Sequence, residues 1–240
     1  MTLIESYDDQ SYFGKKGEKK TFDVPAFTVA KYPVTNAQYR VFVDAQGYNI
    51  ERWWTPAGWQ FRQKESWAKP RFWDDAAREP FNRPDHPVVG MSWYEALAFC
   101  MWLSETWSEK ILLPTEQMWQ RAAQGDDGRA YPWGKNWDGA RCKNAVKPNG
   151  RDHTAPVIQY AGRDKGDSPF GVSDMAGNVW EWCLTDYDTG SQDVNESSNR
   201  RVLRGGSWYY FYPENFRVDG RYGDSPVDWD FGRGFRIARF

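Results

Sequence analysis

Helical spacing of apolar residues occurs three times in the first half of the chain and is lost after Gly125. The first instance follows Thr35, with Tyr39, Phe42 and Val43 on one face. Thr35-x-x-Gln38 is a capping box, whose two side chains satisfy amide groups that an opening helical turn leaves bare, so a helix is predicted from about Asn36 to Gln46. A second box, Ser92-x-x-Glu95, precedes Ala96, Phe99, Cys100 and Leu103 and predicts a helix over 93–106. Thr115 caps a third, which ends near Gly125 and buries Met118, Trp119, Ala122 and Ala123.

Elsewhere the period is that of short strands. Residues 26–31 alternate and are rich in β-formers. Beyond Gly125, apolar runs are divided by Gly, Pro, Asn and Asp. Residues 154–157, 179–182 and 201–204 are strand candidates, and 235–239 closes the sheet near the N-terminal strand. The stretch from Tyr48 to Pro87 follows neither period, and its prolines and charges predict a long ordered loop packed by Trp53, Trp54, Trp59, Trp67 and Trp73. With no internal repeat or linker, the pattern predicts one α+β domain over residues 1–240.

Composition explains how so irregular a fold coheres: 15 Trp, 13 Tyr and 14 Phe each bury a large area and can still satisfy a polar tip. A net charge of -2 gives no reason to expect nucleic acid. No apolar run approaches the ~20 residues of a membrane span, and the N-terminus lacks the basic and apolar regions of a signal peptide. A soluble protein, cytoplasmic or virion-associated, is expected. Cys100, Cys142 and Cys183 are too scattered for a disulfide framework and read as buried thiols.

The last forty residues are written differently. Arg201-Val-Leu-Arg-Gly-Gly-Ser-Trp208 opens the segment and Gly234-Phe-Arg236 closes it. Between them stand Tyr209, Tyr210, Phe211 and Tyr212, then Asp219, Gly220, Tyr222, Gly223, Asp224 and Ser225, then Asp228, Asp230, Phe231 and Gly232. A scaffold-like frame around aromatic and small polar residues suits a binding surface, because Tyr supplies amphipathic contact at low entropy cost and Ser, Gly and Asp adapt. These fourteen are the candidate ligand-binding residues.

Seven motifs, taken together, resemble a known family: residues 32–36 (YPVTN), 86–93 (HPVVGMSW), 113–116 (LPTE), 131–134 (YPWG), 174–182 (DMAGNVWEW), 204–208 (RGGSW) and 234–236 (GFR). In this order they are similar to the formylglycine-generating-enzyme (sulfatase-modifying factor) domain. The resemblance implies a C-type-lectin-like fold. In the enzymes, two cysteines after the Gly-Gly-Ser motif form a copper site, but the matching positions here hold about Tyr210 and Asn215. The iron-dependent sulfoxide synthases use several histidines, and this chain has two, of which His86 reads as structural and His153 as part of a polar turn. A third branch resembles the chain better: the variable proteins of diversity-generating retroelements, with the frame found at 201–208 and 234–236. Randomised adenines in an Asn codon never yield Lys, Glu, Gln, Met or Trp. Residues 209–212, 218–225 and 230–233 contain none of these, while Glu214 and Trp229 read as fixed.

The expectation is therefore a non-catalytic, receptor-type protein that is not an enzyme, with 201–240 a diversified surface for an unknown protein or surface ligand. An altered oxidase and a carbohydrate-binding domain are the alternatives. No cofactor is required by this reading. A structural calcium is implied by the resemblance, through Asp174 and Glu181 with the carbonyls of Gly177 and Val179. The residues alone leave open a turn whose carboxylates bond backbone amides and arginines. Asp126-Asp127 and Asp186/Asp188 read as solvated turn carboxylates, and Arg204, Arg236 and Arg239 as scaffold cations beneath the surface.

Overall fold

A computed structural model describes residues 24–146, 152–196 and 200–240, together with the backbone of strands β1 (Thr2–Asp8) and β2 (Lys15–Phe22). Three of the four helices begin where the caps place them: α1 (Asn36–Asp44), α3 (Trp93–Trp107) and α4 (Glu116–Gln124). Both capping boxes close. Gln46 and Ser108 are left-handed just beyond α1 and α3 and stop them.

The remaining helix, α2 (Pro56–Lys64), lies inside the stretch expected to be loop. Thr55 accepts from the Gly58 amide and Pro56 occupies the first turn, where its missing N–H costs nothing. The packing expectation for this stretch holds: Trp53, Trp54, Trp67 and Trp73 are buried against α1 and α3. At its centre Glu95, fully buried, accepts from the Tyr48 hydroxyl (2.7 Å), the Ser92 amide (2.8 Å) and Arg71. The cap of α3 is thereby also the anchor of the aromatic stretch.

Two sheets complete the α+β fold. Strands β5 (Trp180–Asp186), β6 (Arg201–Arg204), β7 (Gly220–Asp224) and β8 (Arg233–Gly234) join β1 and β2 in the order β2-β1-β7-β6-β5-β8, with β1–β7 and β5–β8 parallel. A smaller antiparallel sheet sets β9 (Ala238–Arg239) between β3 (Thr28–Val29) and β4 (Ile111–Leu112), the closure expected near the N-terminal strand.

Every residue of β5 is buried, because the large sheet has a core on each side. Trp180, Trp182 and Leu184 enter the aromatic core under α3, while Glu181 and Cys183 face α4. Residues 154–157 are not a strand. Ala155 spends its amide and carbonyl on the side chain of Asn178 (2.9 and 3.1 Å) instead of a neighbouring strand. Among the described residues, no helix is long and apolar enough to cross a membrane.

Candidate functional site

The C-terminal segment leaves β6 through Gly205 and Gly206. Gly206 has φ +76°, and a Cβ there would stand 2.7 Å from the Asn215 carbonyl, so only glycine allows the close return. Trp208 then turns inward, its indole donating to the Phe231 carbonyl (2.9 Å) and its amide to Asn178 (2.9 Å). This one side chain ties the start of the segment to its end.

The fourteen candidate ligand residues divide into three groups. Tyr209, Phe211, Tyr212, Asp228 and Asp230 are exposed. Tyr210, Tyr222, Gly223, Asp224, Ser225 and Phe231 are half-buried, with Tyr210 and Tyr222 packed on the aromatic core and Phe231 on Phe81 and Trp208. Asp219, Gly220 and Gly232 are buried. Asp219 takes both arms of Arg217 (2.8 Å each), and the Gly220 carbonyl takes Arg204 (2.6 Å). Part of the segment is therefore scaffold and not surface, since it contributes strand β7 and thus part of the sheet itself.

Rings from the segment and from the aromatic stretch form a continuous belt. It runs from Trp229 to Phe72 (5.5 Å between centroids), Phe231 (5.0 Å), Phe81 (5.0 Å), Trp208 (5.4 Å) and Tyr209 (5.5 Å). From Tyr209 it continues to Tyr210 (6.4 Å), Trp180 (5.6 Å) and Tyr222 (5.8 Å). Phe72, Phe81 and Trp180 belong to it although they lie outside the segment, and sequence spacing carried no signal for that.

The belt borders three carboxylates. Asp224 pairs with Arg233 and shares a hydrogen bond with Asp228, and Asp230 accepts from the Gly232 amide (2.7 Å). Partial desolvation, then the hydrogen bond and like charge of Asp224, hold the Asp228 carboxyl above its ordinary range. Burial pushes the Tyr210 phenol up to about 12, and burial with the Asp224 charge raises Tyr222. The result is an acidic patch framed by π-faces, an arrangement suited to a cationic nitrogen.

The turn proposed for calcium is held in a left-handed conformation at Asp174, Gly177 and Asn178 (φ +55°, +78° and +63°). A Cβ on Gly177 would meet the Lys143 carbonyl at 2.3 Å. Glu181 faces Arg236, which donates to both carboxylate oxygens (2.6 Å each), and its Oε2 also accepts from Trp119 (2.7 Å). Asp174 is different: Oδ2 accepts from Asn178 (2.9 Å) while Oδ1 is buried without a hydrogen-bond partner, and burial pushes the carboxyl up to about 7. Asp174 Oδ1 thus fits a cation, whereas Glu181 already carries its counter-charge.

The other candidates settle into the scaffold. Arg204 pairs with Glu116 (3.0 Å) and Gln120 (2.6 Å), as expected of a buried cation, while Arg239 meets Glu109 at the surface. Asp127 pairs with Arg129 at the surface. Asp186 is buried and accepts from the amides of Asp188 and Thr189 (2.8 and 2.7 Å), so it is a turn-former and not a solvated group. The three cysteines are buried, and burial raises their thiols.

These features define a C-type-lectin-like α+β domain whose C-terminal segment gathers exposed aromatic and acidic side chains. The chain belongs to the sulfatase-modifying factor enzyme 1-like domain family, whose model matches residues 5–240. It is 35% identical to a hercynine oxygenase of Mycolicibacterium thermoresistibile over 90% of this chain and 51% of that protein, so it spans about half the length of that relative. A formylglycine-generating enzyme of Thermomonospora curvata is 29% identical over 96% of this chain and 88% of that protein. Among solved structures, Treponema denticola variable protein 1 superposes with a TM-score of 0.66 at 20% identity, over 100% of this chain and 93% of that one. The enzyme names of these relatives overturn the expectation that the chain is not an enzyme. That expectation leaned on the missing cysteines, which bear on one chemistry among those the family carries.

His86 gives the fold a pH dependence. It is buried, its Nδ1 lies 2.9 Å from the Thr154 hydroxyl, and burial lowers its pKa to about 4. The unfolded chain therefore binds the extra proton first, and stability is lost as pH falls from about 6.5 to about 4, by up to about 3 kcal/mol. Urea denaturation across this window should show the decline, and His86→Gln should flatten it; an unchanged slope in the variant would remove His86 as the cause.

Proposed function

We propose that this chain is the substrate-recognition part of an enzyme of its family, and that its C-terminal face holds a ligand bearing a cationic nitrogen. The observation that carries this reading is the belt of rings around Asp224, Asp228 and Asp230. Aromatic faces and carboxylates both attract an alkylammonium, and a pair of carboxyls that share a hydrogen bond gains from an added positive charge. The half-buried rings then supply a rigid seat, and the exposed Tyr209, Phe211 and Tyr212 the rim.

Choline and its uncharged carbon analogue dimethylbutanol make a direct test by calorimetric titration. Choline should bind at least about tenfold more tightly, more so at pH 7 than at pH 4 because protons compete for Asp228, and Asp228→Asn should remove the preference. Equal binding of the two probes would end the proposal.

A second reading keeps the face and makes it diversified. It is favoured by the absence of the five excluded residue types from 209–212, 218–225 and 230–233, and by the exposure of Tyr209, Phe211 and Tyr212. Sequencing the locus across a population should then find changes confined to residues 209–233; scattered changes would exclude it.

We also propose a structural calcium at the 174–181 turn, bound by Asp174 Oδ1 with the carbonyls of Gly177 and Val179, and with Glu181 limited to what Arg236 leaves. Calcium should raise the melting temperature of the wild type and not of Asp174→Asn. No difference between the two would leave the turn held by hydrogen bonds alone.

A further inference from the structure

A cleft of ≈ 640 Å³ is lined by the 61–72 stretch together with Val227 and Trp229, and it shares Phe72 and Trp229 with the belt of rings. Its size is that of a small-molecule site, and its floor is built with care. The Arg71 guanidinium is layered between the indoles of Trp67 (4.2 Å to the ring centroid) and Trp229 (5.7 Å), and its Nη1 is fastened to buried Glu95. The stretch that carries Trp67 and Arg71 is bounded by two non-glycine residues in the left-handed region, Ser66 (φ +53°) and Phe72 (φ +62°). For a phenylalanine that conformation is costly and persists only where the surroundings enforce it, as they do at ligand clamps.

Three cations line the cleft, Lys64, Lys69 and Arg71, and each has a carboxylate partner: Glu65, Asp74 and the buried Glu95. Glu65 stands 3.7 Å from Lys64, and Lys69 pairs with Asp74 outside the cleft. Both lysine pairs are exposed and weakly held, so a bound anion competes with them at little cost. The walls are flat: Trp229 and Phe72 show 39% and 37% of their surface to solvent and contact each other at 5.5 Å. Such large exposed rings beside fixed cations stack on planar groups.

We propose that this cleft is a second binding site, taking an anion with a flat aromatic body, such as an aryl carboxylate. The aromatic body lies against Trp229 and Phe72 and extends the stack that Trp67 and Arg71 begin. Its carboxylate meets the ammonium groups of Lys64 and Lys69 at the mouth. Trp229 and Phe72 belong both to this cleft and to the belt of rings, so the two sites share aromatic walls.

Naphthoate, its neutral amide and naphthylmethylammonium are suitable probes in calorimetric titrations of the whole chain. In Asp228→Asn, whose patch no longer favours a cation, naphthoate should bind about tenfold or more tightly than the other two, with an affinity that falls as salt rises. The double variant Lys64→Glu/Lys69→Glu, altered only at exposed positions, should lose that preference, and Trp229→Ala should weaken all three probes. Asp228→Asn should leave naphthoate binding unchanged, which separates this site from the patch. Equal affinity for the three probes in that variant, no binding at millimolar concentration, or undiminished naphthoate binding by the double variant would each overturn the proposal.

Discussion

Two ions with no access to water hold the halves of this fold together. Glu181 and Arg236 are both fully buried, meet in a fork of two 2.6 Å hydrogen bonds, and leave few N–H groups or lone pairs idle. Arg236 also donates to the carbonyls of Ala30, Lys31 and Ser173, and Glu181 accepts from the indole of Trp119. Strand β5, helix α4, the chain beside β3 and the C-terminal motif thus converge on one pair. Removing either partner alone strands a charge in the interior, typically at about 3–5 kcal/mol, whereas an apolar pair of similar volume can be neutral. The pair acts through where it fixes the chain more than through its own net energy. Asp174, within reach of both charges, keeps one oxygen without a hydrogen-bond partner.

Local chemistry was legible in the sequence and long-range pairing was not. Thr35/Gln38, Ser92/Glu95 and Thr115 act within four residues, so their helices start where the side chains say. Thr55-Pro56 is the same kind of signal, but the tryptophans around it suggested packing without regular structure, and α2 was missed. Residues 154–157 have the composition of a strand, yet Asn178 takes their hydrogen bonds from 23 residues away. Strands β1 and β2 went unremarked: β2 is rich in lysine and lacks an apolar alternation, and its pairing with β1 joins residues as far apart as Thr2 and Phe22.

The candidate site was legible in the same uneven way. Composition singled out 209–233, where exposed aromatics do gather. It gave no access to Phe72, Phe81 and Trp180, which complete the belt from three other parts of the chain. It also mistook Asp219 and Gly220 for surface, because a small polar residue looks alike whether it adapts to a ligand or receives a buried arginine. Tyr210 and Tyr222 serve both purposes. Each packs on the aromatic core while lining the segment, so the rigidity of the site is borrowed from the core beneath it.

The small sheet has a consequence for how the protein is made. Strand β9 is its middle strand, and β3 and β4 have no ladder with each other, only with β9. During vectorial synthesis both outer strands therefore emerge long before the strand that joins them. Their unpaired edges, and Glu181 without Arg236, persist until residues 236–239 leave the ribosome. A nascent chain in that state exposes open β-edges and an uncompensated acid while much of its aromatic core is already present. The small sheet therefore closes only after β9, the strand that both of its outer strands need, has been made.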